Sequence, residues 1–308
     1  MNVIDILLAG DPVIQRLTKK YLLDERVDYD TSGYIKRYLN LYDSHKHLFG
    51  GGVYGPKWIS THYTMLELKY MEIDPMHPIY QDAIKTLLKY LWANHDMYNR
   101  HVHVDMCVAG MLLSMACYGK SNDPKLLEII DYILSHQMPD KGWNCLWDRK
   151  PAPKIASVHT TLSVLEALRD YEQNGYTYRL DDVKIAMLNG IEVLLKRKLY
   201  QAHQTSEPIH PSMIKASYPP RWKYDILKSL EFLVSVKYPD DLRISDAINL
   251  LSQQMKGPFM PKGSQIPGRL HFHLEEGRYG MFNTLRMLKV LKHFRYPIYQ
   301  QLITKAID

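Results

Sequence analysis

The sequence predicts an all-α fold, an α/α toroid built from an inner and an outer set of helices. Three observations predict it: a repeated segment grammar, an alternation of two kinds of helix, and a near absence of strand signals. Five segments share a polar or aromatic start followed by a small, apolar run. They begin near His62, Asp105, His159, Asp225 and Asn283. Their irregular spacing of 43 to 66 residues contrasts with the stricter period of roughly 34 to 47 in open α-solenoids, and favours a closed domain with functional loops.

Between these inner segments lie amphipathic stretches, 79–92, 124–137, 181–198 and 242–254, with apolar residues at three and four spacing, as in Leu126, Ile129, Ile130, Ile133 and Leu134. Start and stop residues punctuate them: Asp123-Pro124 and Asp181 open outer helices, and Gly175 and Pro239 interrupt the chain after inner ones. Residues 11–23 and 32–46 supply a further pair, for about eleven helices in all. The expected organisation is one domain over residues 1–308, with N-terminal helices in 1–50 and the repeat region in 58–294. Each hairpin has an apolar side that only its neighbours can cover, which is what closes the ring.

Composition narrows the function classes. The 308 residues are 46% hydrophobic, enough for one extended core. A net charge of +6 arises from 39 basic and 33 acidic residues with no block of five like charges, which reads as a mildly basic surface and no nucleic-acid footprint. The three cysteines, Cys107, Cys117 and Cys145, make no disulfide framework and fit a reducing, cytoplasmic setting. The first helical segment carries Gln15, Arg16, Lys19 and Lys20, so it lacks the apolar centre of a signal peptide. The nearly uncharged run Met106–Tyr118 is too short to span a bilayer. Tyrosine dominates the aromatics, 23 against 6 Phe and 5 Trp, and suits cavity walls that are half wet, although many such rings simply lie on helix surfaces.

The chemistry-bearing residues gather at the starts of the inner segments. If the inner helices run parallel, those starts share one rim, where unpaired N–H groups and helix dipoles favour anions. Asp225 and Asn283 are equally read as ordinary N-caps. His101-Val-His103-Val-Asp105-Met-Cys107 is the densest cluster of metal-competent side chains. Cys117 reads as core. Cys145, after Gly142-Trp143, is a nucleophile or fourth ligand, or else a semi-buried structural thiol. His62 and Asp225 complete the candidate catalytic set, and Trp58, Tyr63, Trp143, Arg221, Trp222 and Tyr224 the candidate substrate-binding set. His271-Phe-His273 with Glu275 alternates like a short strand, and a covering loop is the simpler account. The glycine run 50–55 lacks a following Lys-Ser/Thr and is no phosphate loop.

Residues Gln137 to Cys145, followed by Ser157 to Leu168, resemble a turn of the prenyltransferase and squalene oxidase repeat. Pro219 to Leu227 and Gly268 to Glu275 are similar to segments of bacterial squalene cyclase-like proteins. The resemblance covers roughly Trp58 to Phe294 and implies the terpenoid cyclase and protein prenyltransferase toroid. Protein prenyltransferase β subunits hold zinc through an Asp-x-Cys pair and a His at the starts of successive inner helices. By that likeness Asp105, Cys107 and His159 form a zinc site. Val158 replaces the family's Tyr before the ligand His, Asn99, Arg100, His101 and His103 stand where its diphosphate-binding cations would be, and no Asp-x-Asp-Asp acid motif occurs.

The implied function is an enzyme acting on a prenyl or other apolar substrate, with zinc-dependent prenyl transfer as its sharpest form. Two alternatives stand beside it. One is a non-catalytic toroid binding a lipid or peptide. The other is a carbohydrate-active α/α barrel using Asp105 and Asp225 as its carboxylate pair.

Overall fold

Helix starts in this chain are written as local hydrogen-bonding chemistry. Asp11 accepts the Val13 N–H at 2.9 Å ahead of Pro12, Asp225 accepts the Lys228 N–H at 2.8 Å, and Asp241 accepts the Arg243 N–H at 2.9 Å. Each bond satisfies an N–H that the first helical turn leaves unpaired. The computed structural model describes residues 1–92, 104–263 and 267–307. Within them the structure is helical, with only isolated β-bridges and no strand.

The helices are α1 (Val3–Leu8), α2 (Pro12–Leu22), α3 (Gly33–Leu39), α4 (Thr61–Tyr70), α5 (Pro78–Leu87), α6 (Met106–Tyr118), α7 (Lys125–Ser135), α8 (Val158–Gln173), α9 (Leu180–Leu195), α10 (Ile226–Ser235), α11 (Leu242–Gln254), α12 (Met281–His293) and α13 (Ile298–Thr304). A π-helical turn, Leu88–Trp92, extends α5, and a 3₁₀ turn covers Pro211–Ile214.

Burial separates the helices into the two kinds that the sequence predicts. Every residue of α4 from Thr61 to Lys69 is buried, whereas α11 buries only Ile244, Ala247, Ile248 and Leu251 along one stripe. The same contrast holds between α6 and α7. Helix α6 packs most extensively against α8. Gly110 makes that approach close, because a Cβ there would stand 2.9 Å from the Ser163 carbonyl oxygen. Helix α4 lies against α6, α10 against α12, and α12 against α2.

Three expectations change. Residues 32–46 do not form one helix: α3 ends at Leu39, and the Asp43 carboxylate accepts the N–H groups of His45 and Lys46 at 3.0 and 3.1 Å, a local turn that competes with helix. Asn283 does not open α12. That helix starts two residues earlier, where the buried Glu275 carboxylate accepts the N–H groups of Phe282 and Asn283. Helices α1 and α13, too short to declare a period, are additions to the expected set, and the chain ends meet where the Ile307 N–H donates to the Met1 carbonyl at 2.9 Å. The segment His271-Phe-His273 is irregular, in keeping with the loop that is the simpler of its two readings.

Candidate functional site: a charged central cavity

Charged side chains inside otherwise buried helices need partners, and here they find them around a cavity of about 390 Å³. Its wall draws on α2, α4, α6, α8, α10 and α12. From α4, Lys69 reaches Asp170 of α8 at 2.8 Å, and Arg169 closes on the other oxygen of the same carboxylate at 2.7 Å. Ser114 of α6 adds a hydroxyl at 2.5 Å. Burial alone would raise the Asp170 pKa, but the Arg169 and Lys69 charges outweigh it and hold the carboxyl below its usual range.

The remaining wall follows the same logic. Lys228 of α10 pairs with Glu166 of α8 at 3.0 Å, Arg286 of α12 with Glu231 of α10 at 2.6 Å, and Lys20 of α2 with Glu72 at 2.5 Å. Burial raises the Glu72 pKa as well, and the Lys20 charge brings the net shift downward. Tyr21 donates its hydroxyl to Glu72. Burial, reinforced by that carboxylate, pushes the Tyr21 phenol well above its ordinary range. Tyr70, Tyr118 and Tyr218 add aromatic surface.

Six cations therefore line the cavity, Lys20, Lys69, Arg169, Lys228, Arg286 and Lys289, against four carboxylates, Glu72, Glu166, Asp170 and Glu231. Among the described residues, each of the four carboxylates is in an ion pair, and five of the six cations are too. Lys289 is the exception: its ammonium stands 3.8 Å from the centroid of the Tyr21 ring, and burial lowers its pKa. Arg286 adds a second unmet donor. Its Nε binds Glu231 and its Nη1 binds Ser217 and Asn283, while Nη2 has no hydrogen-bond partner.

None of the residues singled out from the sequence lines this cavity. Most of them fall into three groups. The first joins Trp58, Tyr63 and Trp222 with Tyr54 and Leu270 in a small aromatic cluster. The Trp58 and Tyr63 rings are 4.8 Å apart, and the Arg221 guanidinium lies 5.1 Å from the Trp58 ring. His62, fully buried beside Tyr54 and Tyr63, has no partner on either ring nitrogen, and burial depresses its pKa to about 3.

The second group surrounds His159. Its Nδ1 accepts the Tyr224 N–H at 2.8 Å, and its ring faces Trp222 at 5.4 Å. Burial lowers its pKa to about 4, so the ring is a neutral acceptor near pH 7. The third group is the thiol pair. The Cys107 N–H donates to Cys145 Sγ at 3.2 Å, Thr160 Oγ1 lies 3.3 Å from the same sulfur, and the two thiols share a hydrogen bond that lowers the Cys145 pKa and raises that of Cys107.

Three expected site residues sit elsewhere. Trp143 is fully buried, donates its indole N–H to the Ile133 carbonyl at 2.8 Å and packs where Gly190 of α9 leaves room. It belongs to the core between α7, α8 and α9 and does not join the other aromatics. Asp225 caps α10 from a buried position, and burial raises its pKa. Asp105 precedes α6 with an exposed side chain that makes no capping bond.

Among the described residues, no group of three or more His, Cys, Asp or Glu side chains is arranged to hold a metal ion. Asn99, Arg100, His101 and His103 lie outside the described residues. Among those described, no helix is long and apolar enough to cross a membrane.

Sequence reasoning missed the cavity because most of its charged lining residues, among them Lys69, Glu166, Arg169, Asp170, Arg286 and Lys289, lie midway along the buried helices or near their C-terminal ends, although Lys228 and Phe282 lie in first turns. A signal was present: Lys69, Glu166, Asp170, Lys228, Glu231, Arg286 and Lys289 are charges set into helices that otherwise read as buried. No protein-family model and no curated protein matches this chain.

Proposed function

We propose that this chain binds a small, hydrogen-bonding anion, of the class of a sugar phosphate or a hydroxycarboxylate, in the central cavity of a closed α/α toroid. The toroid reading is supported by a cavity wall assembled from six helices far apart in sequence. The ligand reading rests on one observation: six cations face four carboxylates, and the surplus includes Lys289, which has no carboxylate partner. A dianionic group would balance that surplus. The tyrosine rings and hydroxyls suit a polyol body.

The same wall gives less support to an isoprenoid or other wholly apolar substrate, which would leave ion pairs desolvated against hydrocarbon. It also gives little support to two-carboxylate glycoside hydrolysis, because the lining carboxylates are already engaged by cations. Zinc-dependent prenyl transfer would need Asp105, Cys107 and His159 to converge on one ion, whereas His159 Nδ1 is committed to the Tyr224 amide.

Isothermal titration with three probes tests the proposal: glucose 6-phosphate, glucose and geranyl diphosphate. Binding of the sugar phosphate alone, weakening as salt rises, supports it. Binding of geranyl diphosphate alone, or of the neutral sugar equally well, overturns it.

A further inference from the structure

We infer that Cys107 and Cys145 are a reversible redox pair, a peroxide-responsive dithiol that closes into an intramolecular disulfide joining the start of α6 to the loop before α8.

The geometry sets the roles. The side chain of Asp105 makes no bond to the first turn of α6, and the Cys107 N–H there is met instead by Cys145 Sγ at 3.2 Å. The two side chains also share a hydrogen bond, which sets one thiol against the other. Thr160 Oγ1, at 3.3 Å, gives Cys145 a second polar neighbour. Both thiols are half-buried, within reach of a small oxidant, whereas Cys117 is buried inside α6. The pair stands apart from the central cavity, since neither cysteine lines it. Two thiols facing each other, one held by an N–H and a hydroxyl, are an attacking and a resolving cysteine in one place.

The chemistry balances with hydrogen peroxide as the named oxidant. The Cys145 sulfur attacks one peroxide oxygen, the O–O bond breaks, and the departing hydroxide takes the thiol proton and leaves as water. Cys145 is then a sulfenic acid. The Cys107 sulfur attacks the Cys145 sulfur, the S–O bond breaks, and the hydroxyl leaves with the Cys107 proton as a second water. Peroxide is reduced by two electrons and the two thiols are oxidised to one disulfide. A dithiol reductant reverses the result by thiol–disulfide exchange and is itself oxidised to a disulfide.

The test treats the full chain with a small excess of hydrogen peroxide, followed by free-thiol titration and peptide mapping under non-reducing conditions. Two of three thiols are expected to disappear, one cross-linked peptide to join Cys107 to Cys145, and dithiothreitol to restore both. Cys107→Ser is expected to stop at a sulfenic acid on Cys145, captured by dimedone, with no cross-link. Cys145→Ser is expected to keep Cys107 and Cys117 reduced over the same time. Because serine variants that misfold would blur this reading, circular dichroism accompanies each. The wild-type peptide map stands without them. Independent over-oxidation of the two cysteines without a cross-link, or a cross-link that includes Cys117, overturns the inference.

Discussion

The Arg221 guanidinium closes on the Glu67 carboxylate at 2.7 Å with both side chains buried, and so ties the segment before α10 to α4 across half the length of the sequence. Tyr38 donates to the second Glu67 oxygen at 2.5 Å, bringing α3 into the same junction. Burial raises the Glu67 pKa, and Arg221 and Tyr38 act against that rise.

Removing one partner of such a pair strands the other charge. Glu67→Ala is expected to destabilise the fold by about 3–5 kcal/mol. Glu67→Gln keeps an acceptor for Tyr38 and should cost less. Urea unfolding followed by circular dichroism measures both, and equal stability of the alanine variant and the parent would show that the junction contributes nothing.

His62 predicts a pH dependence of definite sign. Its folded pKa of about 3 lies below the ordinary value of 6.5, so between those limits the unfolded chain binds more protons. Stability is fully present above pH 6.5 and falls as the pH drops towards 3. At pH 4 the loss amounts to about 3 kcal/mol. His62→Phe should lack this component, so the stability difference between variant and parent should shift by that amount from pH 7 to pH 4. A difference independent of pH would contradict it. Glu275, raised to about 7 by burial, titrates in the same window with the opposite sign and cancels in the comparison.

Gly110 is needed for the contact of α6 with α8. Alanine is the better helix former by about 1 kcal/mol, but its Cβ would meet a backbone oxygen at 2.9 Å that cannot rotate away. Gly110→Ala is therefore expected to be net destabilising, by about 1–3 kcal/mol. A higher urea midpoint than the parent's would show that the two helices separate without cost.

In the cavity, Lys289→Ala removes the cation that has no carboxylate partner. If it anchors the anion, affinity for the sugar phosphate falls by about 1.5–3 kcal/mol, roughly tenfold to a hundredfold. Titration at two salt concentrations should also show a shallower salt dependence than the parent's. Unchanged affinity would remove Lys289 from the site.

The sequence by itself determined the helical class, the alternation of buried and amphipathic helices, and most helix starts. These are local properties: a period, a capping side chain, a proline at the first turn. Asp225 beside Lys228 and Asp11 beside Pro12 carry their capping role wherever the helix lies. Only the tertiary structure decided which side chains meet. Whether Lys69 faces Asp170, whether Lys289 is left over Tyr21, whether His159 accepts from Tyr224, and whether Cys145 reaches Cys107 all depend on the rotation and axial offset of one helix against another. Side-chain packing sets those two quantities across the whole core. A rotation of one residue position, about 100°, would turn a cavity-lining charge toward a neighbouring helix, so the site stayed hidden in a sequence that plainly showed its scaffold.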